Sequence, residues 1–216
     1  MQRFWQIIGI LVVIGLIYAV MVGLGITRSF KHKKETKKVM VINDFEHPNY
    51  DLDWGTGGYV KVESTMDNQT HGKKAMKATF LLENQFFPTP TPGNNWRPTL
   101  TLDTNSPTPL NVYDWSEYSN LMVDVFNPQD QPLTWHIQVA DGRAFVDDQA
   151  TGVLIPKKVT NIDVPFDELI KNRLDLTSIR SFSFWVDTAG LTTPPVIFMD
   201  YLRLEGDLAP LPAKKK

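Results

Sequence analysis

The 216-residue sequence predicts an all-β, antiparallel β-sandwich preceded by a single N-terminal transmembrane α-helix. Two observations support this prediction. A 23-residue stretch without a formal charge lies close to the amino terminus, and the rest of the chain carries short runs of β-branched and aromatic residues between Gly, Pro, Asn and Asp. Runs typical of strands do not alternate with runs typical of helices, so a parallel sheet is not expected.

The uncharged stretch runs from Phe4 to Ile26. As a helix it would span roughly 30 Å, which matches the hydrocarbon core of a bilayer. A cleaved signal peptide is the alternative, but its apolar region would be shorter, and no A-x-A-like site precedes Arg28. We therefore predict a membrane anchor at residues 1–27, followed by a basic tether at residues 28–38.

Small residues line one face of the predicted anchor, where Gly15, Ala19 and Gly23 follow one another at intervals of four residues. Small side chains at this spacing let a second helix approach closely within a membrane. The stripe predicts a helix-packing surface for another membrane protein subunit. The ordinary abundance of Gly and Ala in membrane helices is the alternative interpretation.

Charge is distributed unevenly along the chain. Residues 1–38 hold seven of the 22 Lys/Arg side chains and one of the 24 Asp/Glu, and residues 214–216 are all Lys. Residues 39–213 therefore carry 12 basic and 23 acidic side chains. Nucleic-acid binding needs a basic face, so no nucleic-acid partner is expected for the domain. The basic ends suit anionic lipid headgroups instead.

The side of the membrane on which the domain lies follows less directly from the sequence. The Lys-rich flank after the anchor favours a cytoplasmic domain by the positive-inside rule. A single anchor followed by a β-sandwich is, however, typical of exported domains. We favour an extracytoplasmic location and leave the cytoplasmic one open.

The globular part, residues 39–206, carries ten strand-like runs. They are Val39–Phe45, Tyr59–Ser64, Lys74–Leu82, Thr99–Leu102, Asn120–Phe126, Leu133–Ala140, Gly152–Ile155, Lys158–Val164, Ile179–Val186 and Val196–Leu204. Phe166–Asn172 is predicted to be a short helix. The Pro-rich run 86–98 is predicted to be a loop over a sheet edge or face, because proline donates no ladder hydrogen bond. Residues 207–216 form a Pro/Lys tail.

Alternation along each strand separates a core face from an outward face. Trp135 and Trp115 have apolar neighbours on the same face and are predicted to lie in the core. In the last strand, Val196, Phe198, Leu202 and Leu204 are placed opposite Ile197, Met199, Tyr201 and Arg203, with the first set toward the core. The outward residues predict a mixed aromatic and polar ligand or partner face, consisting of Asp124, His136, Trp185, Tyr201 and Arg203. The alternative is that another part of the chain covers this face.

Several short blocks follow one another in an order that resembles a known fold family. They are VINDFE at 41–46, the region of Trp54, HGKKAMKATF at 71–80, NVYDWSEYSNLMVDVFNP at 111–128, DLTSIRSFSFWVD at 175–187 and PPVIFMDYLRLEG at 194–206. Together they resemble the galactose-binding-like jelly rolls. Within that group they are most similar to carbohydrate-binding modules related to family 11 and to the complex I intermediate-associated 30 kDa protein family. The resemblance implies a jelly-roll β-sandwich that serves as a binding or assembly module.

The same resemblance implies a structural calcium site between the two chain ends. Its positions correspond to Glu46 in the first strand, Gly72 at a turn and Asp200 in the last strand. Carboxylate and carbonyl oxygens suit Ca²⁺. A pair of capped or surface carboxylates without a cation is the alternative.

No catalytic pattern is present in the sequence. The four histidines, at positions 32, 47, 71 and 136, lack metal-ligand spacing, and the chain has no cysteine. No nucleophile elbow and no Gly-rich phosphate loop occurs. We therefore expect a protein that is not an enzyme and that has no cofactor apart from the calcium ion considered above.

Two functions of different classes remain. The first is a single-pass, membrane-anchored interaction module that acts as an accessory, assembly or structural subunit of a larger membrane protein complex. The alternative is an extracytoplasmic carbohydrate-binding module tethered to the membrane. The small-residue stripe favours the first function, and the aromatic outward face favours the second.

Overall fold

The structure is a computed structural model that describes residues 37–47, 54–57, 59–85, 97–103, 113–143, 150–170 and 174–207. The predicted anchor with Gly15, Ala19 and Gly23, the tether up to residue 36, the Pro-rich run up to residue 96 and the tail from residue 208 lie outside these ranges. Within the described ranges, no helix has the length and apolarity needed to cross a membrane.

The described chain forms ten strands, and all of their pairings are antiparallel. They are β1 (Lys38–Asn43), β2 (Val60–Thr65), β3 (Ala75–Phe80), β4 (Leu100–Asp103), β5 (Asn120–Asn127), β6 (Leu133–Ala140), β7 (Ala150–Leu154), β8 (Lys158–Pro165), β9 (Ser181–Val186) and β10 (Val196–Gly206). A short helix, α1 (Phe166–Ile170), follows β8, and a 3₁₀ turn spans Glu83–Gln85. The all-β, antiparallel prediction is confirmed, since each strand overlaps one predicted run.

The strands form two sheets. The large sheet has the order β2-β3-β10-β5-β8, and β1 also pairs with β10. The long strand β10 accommodates both partners on one side because β3 pairs with its first half and β1 with its second half. The small sheet has the order β4-β9-β6-β7. Alternate side chains of both sheets contribute to one buried apolar core, so the architecture is a β-sandwich.

Trp135 and Trp115 both belong to this core, as the sequence predicts. Trp135 lies across from Gly152 on the neighbouring strand β7. A Cβ atom at Gly152 would lie 2.7 Å from the Trp135 indole, so only glycine leaves room for the ring. Gly152 therefore lets the Trp135 indole pack against the edge strand β7 without a steric clash.

A β-bulge in β10 contradicts the alternation that was predicted for this strand. Ile197 and Met199 are buried before the bulge, and Leu202 and Leu204 are buried after it. The pairing of β10 with β5 shifts between Asp200 and Arg203. The prediction that Val196 and Phe198 face the core is wrong, because one extra residue in the bulge reverses the period-two pattern.

Candidate functional site

The five residues predicted to form one outward face lie on two different faces of the sandwich. His136 and Trp185 lie on the outer face of the small sheet, where they are directly opposed across β6 and β9. Asp124 and Arg203 belong to the large sheet, and the ring of Tyr201 packs against the Arg203 guanidinium. The structure therefore brings together two subsets and does not bring together the whole set.

The subset on the large sheet forms an internal ionic network. The Nε of Arg203 donates to Glu205 Oε1 at 2.8 Å, and its Nη1 lies 3.5 Å from Asp124 Oδ1. The same guanidinium lies 4.4 Å from the centroid of the Tyr201 ring. Burial raises the pKa of Glu205, but the hydrogen bonds from Arg203 and Lys37 outweigh burial and the net shift is downward. The positive charge of Arg203 is thus paired with carboxylates of the protein itself, which points to a structural role for this residue.

The outer face of the small sheet collects a second set of polar and aromatic side chains. We call it the small-sheet face, and it consists of Arg97, Thr101, His136, Gln138, Ser183 and Trp185. Strand register builds one row from Thr101, Ser183 and Gln138, which lie opposite one another on β4, β9 and β6. His136 and Trp185 form the adjacent row. Neighbouring strands are about 4.8 Å apart, so these side chains lie side by side on one face of the sheet, where Gln138, Ser183 and Trp185 are buried.

The aromatic row is stacked and tightly held. The His136 and Trp185 rings are 5.1 Å apart and inclined by 6°. His136 Nε2 lies 2.9 Å from Asp187 Oδ1, which fixes the orientation of the imidazole. The Arg97 guanidinium lies 4.5 Å from the centroid of the Trp185 ring. The indole is only 3% exposed, although it is on an outer face of the sheet.

The polar row contains a buried donor that lacks an acceptor. The hydroxyls of Thr101 and Ser183 are hydrogen-bonded at 3.1 Å. Gln138, beside Ser183, is only 4% exposed, and its Nε2 has no hydrogen-bond partner within the part of the chain that the structure describes. Buried side-chain donors are normally satisfied, and leaving one unpaired costs about 1–3 kcal/mol. An unpaired amide of this kind is a candidate contact for a ligand oxygen.

Sequence reasoning missed four members of this face, namely Arg97, Thr101, Gln138 and Ser183. Alternation along β6 and β9 places Gln138 and Ser183 on the outward side, so a signal was present. Short neutral side chains resemble ordinary surface residues, however, and only the strand register shows that they form one row with Thr101.

The residues predicted to bind calcium, Glu46, Gly72 and Asp200, do come together around one turn. Glu46 Oε1 accepts hydrogen bonds from the backbone N–H groups of Lys73 and Lys74, at 2.5 and 2.7 Å. Gly72 has a positive φ of 67°, and a Cβ atom at this residue would lie 2.4 Å from Glu46 Oε1. The glycine is therefore needed both for its conformation and for the close approach of the carboxylate.

Asp200 holds the preceding part of the same turn. Its Oδ2 accepts hydrogen bonds from the backbone N–H groups of Thr70 and His71, both at 2.7 Å. Burial raises the pKa of Asp200, and the hydrogen bonds from His71, Thr70 and Tyr201 counteract part of that rise. Glu46 and Asp200 thus form a clamp on residues 70–74, which we call the carboxylate clamp.

The contacts of the two carboxylates favour a turn that is held without a calcium ion. Glu46 Oε1 and Asp200 Oδ2 accept hydrogen bonds from backbone N–H groups and, at Asp200, also from the Thr70 hydroxyl. Ca²⁺ instead needs six to eight oxygen ligands. Within the described ranges, no three His, Cys, Asp or Glu side chains are grouped in a way that could hold a metal ion. The contacts favour the alternative interpretation, in which the two carboxylates are capped by the chain itself.

The carboxylate clamp gives a testable prediction. Glu46→Gln is expected to lower the melting temperature at pH 7 by the same amount in CaCl₂ and in EDTA, because the lost contacts are to N–H groups. The hydrogen bonds from Lys73 and Lys74 lower the pKa of Glu46. Its contribution to stability is therefore present above the ordinary carboxyl pKa of about 4.3 and is lost as the pH falls through the lower pKa of the folded state.

The difference in melting temperature between wild type and Glu46→Gln should therefore shrink as the pH is lowered from 5 toward 3. The titration of Asp200 does not affect this difference, because both proteins contain that residue. Glu63→Gln is the control, since Glu63 pairs with Lys77 at 2.8 Å on the surface. It should change the melting temperature less, in line with the small contribution of exposed ion pairs. A Glu46→Gln effect that depends on calcium would contradict the clamp.

Comparisons with known proteins identify the fold. No protein-family model and no curated protein sequence matches the chain. A family 11 carbohydrate-binding module from Clostridium thermocellum, solved in complex with a β-1,3-1,4-mixed-linked tetrasaccharide, is similar in structure with a TM-score of 0.52 and 17% identity, over 81% of this chain and 98% of that chain. An exo-β-agarase has a TM-score of 0.57 and 14% identity, over 79% of this chain and 25% of the enzyme.

These similarities show the fold alone, because the identities are low. The chain has the jelly-roll β-sandwich fold of such modules, and this part of the prediction is confirmed. The galactose-binding-like grouping stays a prediction from the sequence blocks. The likeness to the complex I intermediate-associated 30 kDa protein family stays a prediction from the sequence blocks.

Proposed function

We propose that this chain is a non-catalytic carbohydrate-binding module that binds a neutral oligosaccharide on the small-sheet face. The observation that carries the proposal is the unpaired, buried Nε2 of Gln138 in the row with Thr101 and Ser183. A protein rarely keeps such a donor without a partner, and a sugar oxygen supplies the missing acceptor.

The composition of the small-sheet face suits sugar hydroxyls. Each sugar hydroxyl donates one hydrogen bond and accepts others, and the Thr101 and Ser183 hydroxyls can do the same. The amide of Gln138 and the guanidinium of Arg97 add donors, and Trp185 adds an aromatic ring of the kind that packs against apolar ring faces. Ligand sites commonly combine a few directed polar groups with aromatic side chains in this way.

The comparisons support a carbohydrate ligand better than a role as a subunit of a membrane complex. The family 11 module was solved in complex with a tetrasaccharide, and the other similar structure is an exo-β-agarase. The subunit hypothesis depends on residues 1–38, which lie almost entirely outside the described ranges. Tethering through residues 1–27 and an extracytoplasmic location are parts of the proposal that are taken from the sequence.

Binding of the purified full chain to soluble polysaccharides tests the proposal. Mixed-linkage β-glucan, xylan, mannan and agarose oligosaccharides are titrated by calorimetry and by affinity electrophoresis. Trp185→Ala on the small-sheet face should abolish binding to whichever glycan is recognised. Phe126→Ala is the matched control, because Phe126 is a half-buried aromatic residue on the large sheet and packs 6.0 Å from Phe198. It should leave the affinity unchanged.

A second variant keeps the test independent of folding defects. Ser183→Ala removes one hydroxyl from the polar row, retains Trp185 and should weaken binding while thermal unfolding shows that the protein remains folded, as in the wild type. Retained binding in both small-sheet variants, or absence of binding to every glycan tested, would contradict the proposed function.

A further inference from the structure

A short segment joins the two sheets at one edge of the sandwich. Residues 153–159, which we call the edge arch, run from the end of β7, the edge strand of the small sheet, into β8, the edge strand of the large sheet. The Lys157 N–H donates to the Asn127 carbonyl at 2.8 Å, and the amide of the buried Asn127 side chain donates to the Leu154 carbonyl at 3.2 Å. Because its turn is bonded to the end of β5 on both sides, the edge arch holds its outward side chains in fixed positions.

Three of these outward side chains are aliphatic. Val153, Ile155 and Val159 are 55%, 49% and 49% exposed, whereas Leu154 is fully buried in the core. Contact of apolar surface with water is unfavourable, and the edge arch cannot remove it by folding inward because its backbone is bonded in place. Neighbouring exposed apolar side chains commonly mark a site of interaction, so the edge arch is a candidate docking surface.

The edge arch is basic, in contrast to the domain that carries it. Lys157 and Lys158 are exposed and stand between Ile155 and Val159, and the sequence of residues 153–159 contains no acidic residue. Lys157 pairs with Asp130 at 3.1 Å, whereas Lys158 has no carboxylate within ion-pair distance among the residues that the structure describes. Residues 39–213 as a whole carry 12 basic and 23 acidic side chains. An anionic surface would therefore attract the edge arch and repel most of the remaining domain.

We propose that the edge arch docks on an anionic lipid bilayer. The three aliphatic side chains enter the headgroup region, and the lysines contact anionic headgroups. The charge pattern favours a lipid over a protein partner, because lysine is depleted at protein–protein interfaces. Surfaces that bind anionic lipids instead combine apolar side chains with lysines, whose long stems lie along apolar surface while the ammonium group stays in water. The inference goes beyond glycan binding, since the edge arch contains no residue of the small-sheet face.

A fluorescent probe on the edge arch tests the proposal, and the absence of cysteine from the chain makes the labelling specific. The full chain with Ile155→Cys carries a fluorophore whose emission shifts to the blue in apolar surroundings, and it is reconstituted in lipid vesicles. In phosphatidylcholine with phosphatidylserine the emission should shift and be quenched by nitroxide-labelled lipid, whereas in phosphatidylcholine alone the probe should stay in water. The probe reports only the surroundings of residue 155, so the result does not depend on whether residues 1–27 also insert. Gln69→Cys, at an exposed position between β2 and β3, is the matched control and should stay in water in both.

Two further substitutions in the labelled chain separate the contributions of charge and apolar contact. Lys158→Gln should lower the equilibrium constant for docking by roughly fivefold, the usual effect of one lysine at an anionic membrane surface. Val159→Ser should also lower it, because less apolar surface then leaves the water. Lys61→Gln and Met66→Ser are the matched controls, since both residues are exposed and lie outside the edge arch. They should leave the constant unchanged.

Several outcomes would overturn the proposal. Equal blue shifts in both kinds of vesicle, or an unchanged docking constant in Lys158→Gln, would contradict a site for anionic lipid. A blue shift that appears without vesicles and grows with protein concentration would show that a second copy of the chain covers the edge arch instead. Val153→Cys provides a second probe should the first labelled protein unfold, and both probes remaining in water beside phosphatidylserine would also overturn the proposal. Trp185→Ala should dock as the wild type does, so a failure of lipid docking is distinguishable from a failure of glycan binding.

Discussion

Trp115→Ala is expected to lower the free energy of unfolding by about 3–5 kcal/mol, the usual cost of truncating a large aromatic side chain in a core. Trp115 is fully buried, and its ring packs on Phe166 of α1 at 5.7 Å with an inclination of 16°. Its backbone N–H donates to the Leu176 carbonyl at 2.7 Å, so the residue also joins two chain segments outside the strands. Urea unfolding followed by circular dichroism measures the effect.

Tyr113→Ala provides the control for this variant. Tyr113 lies two residues before Trp115 in the same segment, but its side chain is 42% exposed. The carbonyl that accepts the Ile179 N–H belongs to the backbone and remains after substitution. Tyr113→Ala should therefore change stability by no more than about 0.5 kcal/mol, as expected for a surface position. Equal effects for both variants would show that Trp115 does not pack in the core.

Local patterns predicted the strands of this protein well, because alternation and turn residues act over a few positions. Trp135 could be placed in the core for this reason, since its apolar neighbours share one side of β6. Trp115 is also in the core, although it lies between β4 and β5 and outside the strands. The bulge between Asp200 and Arg203 could not be predicted, because the alternation of apolar and polar residues does not show where an extra residue is inserted into a strand. One such residue reversed the faces assigned to Val196 and Phe198.

The candidate site was harder to predict because it depends on which strands become neighbours. Alternation shows that His136 and Arg203 both point outward, yet the two residues lie on different sheets. Sheet membership is fixed by pairings between residues far apart in the chain, such as β4 with β9. Gln138, Ser183 and Thr101 acquire significance only once this pairing is known.

The calcium prediction shows what a family resemblance can and cannot transfer. It correctly placed Glu46, Gly72 and Asp200 around one turn, because the positions of chain ends and turns follow from the fold. The resemblance did not predict which groups contact the two carboxylates, since these contacts depend on the local backbone of residues 70–74. In this protein N–H groups face them, and the turn is held by the chain itself.

A single residue, Gln138, links the stability of the sandwich to the proposed sugar site. Gln138→Met should raise the free energy of unfolding by about 1 kcal/mol, because it replaces an unpaired buried amide by an apolar side chain of similar shape. The same substitution should weaken glycan binding by about tenfold, since it removes the donor expected to meet a sugar oxygen. Thermal unfolding and calorimetric titration of the full chain measure the two effects, which have opposite signs.

Gln129→Met is the matched control, since Gln129 is a half-buried glutamine whose Nε2 donates to the Val196 carbonyl at 3.4 Å. Because this amide already has an acceptor, its replacement should not raise stability, and its position outside the small-sheet face should leave glycan affinity unchanged. A stability gain at Gln138 without any loss of affinity would mean that the unpaired amide is a packing defect rather than a ligand contact. A loss of stability at Gln138 would mean that its amide has a partner in solution, and the argument that a sugar oxygen satisfies it would then fail.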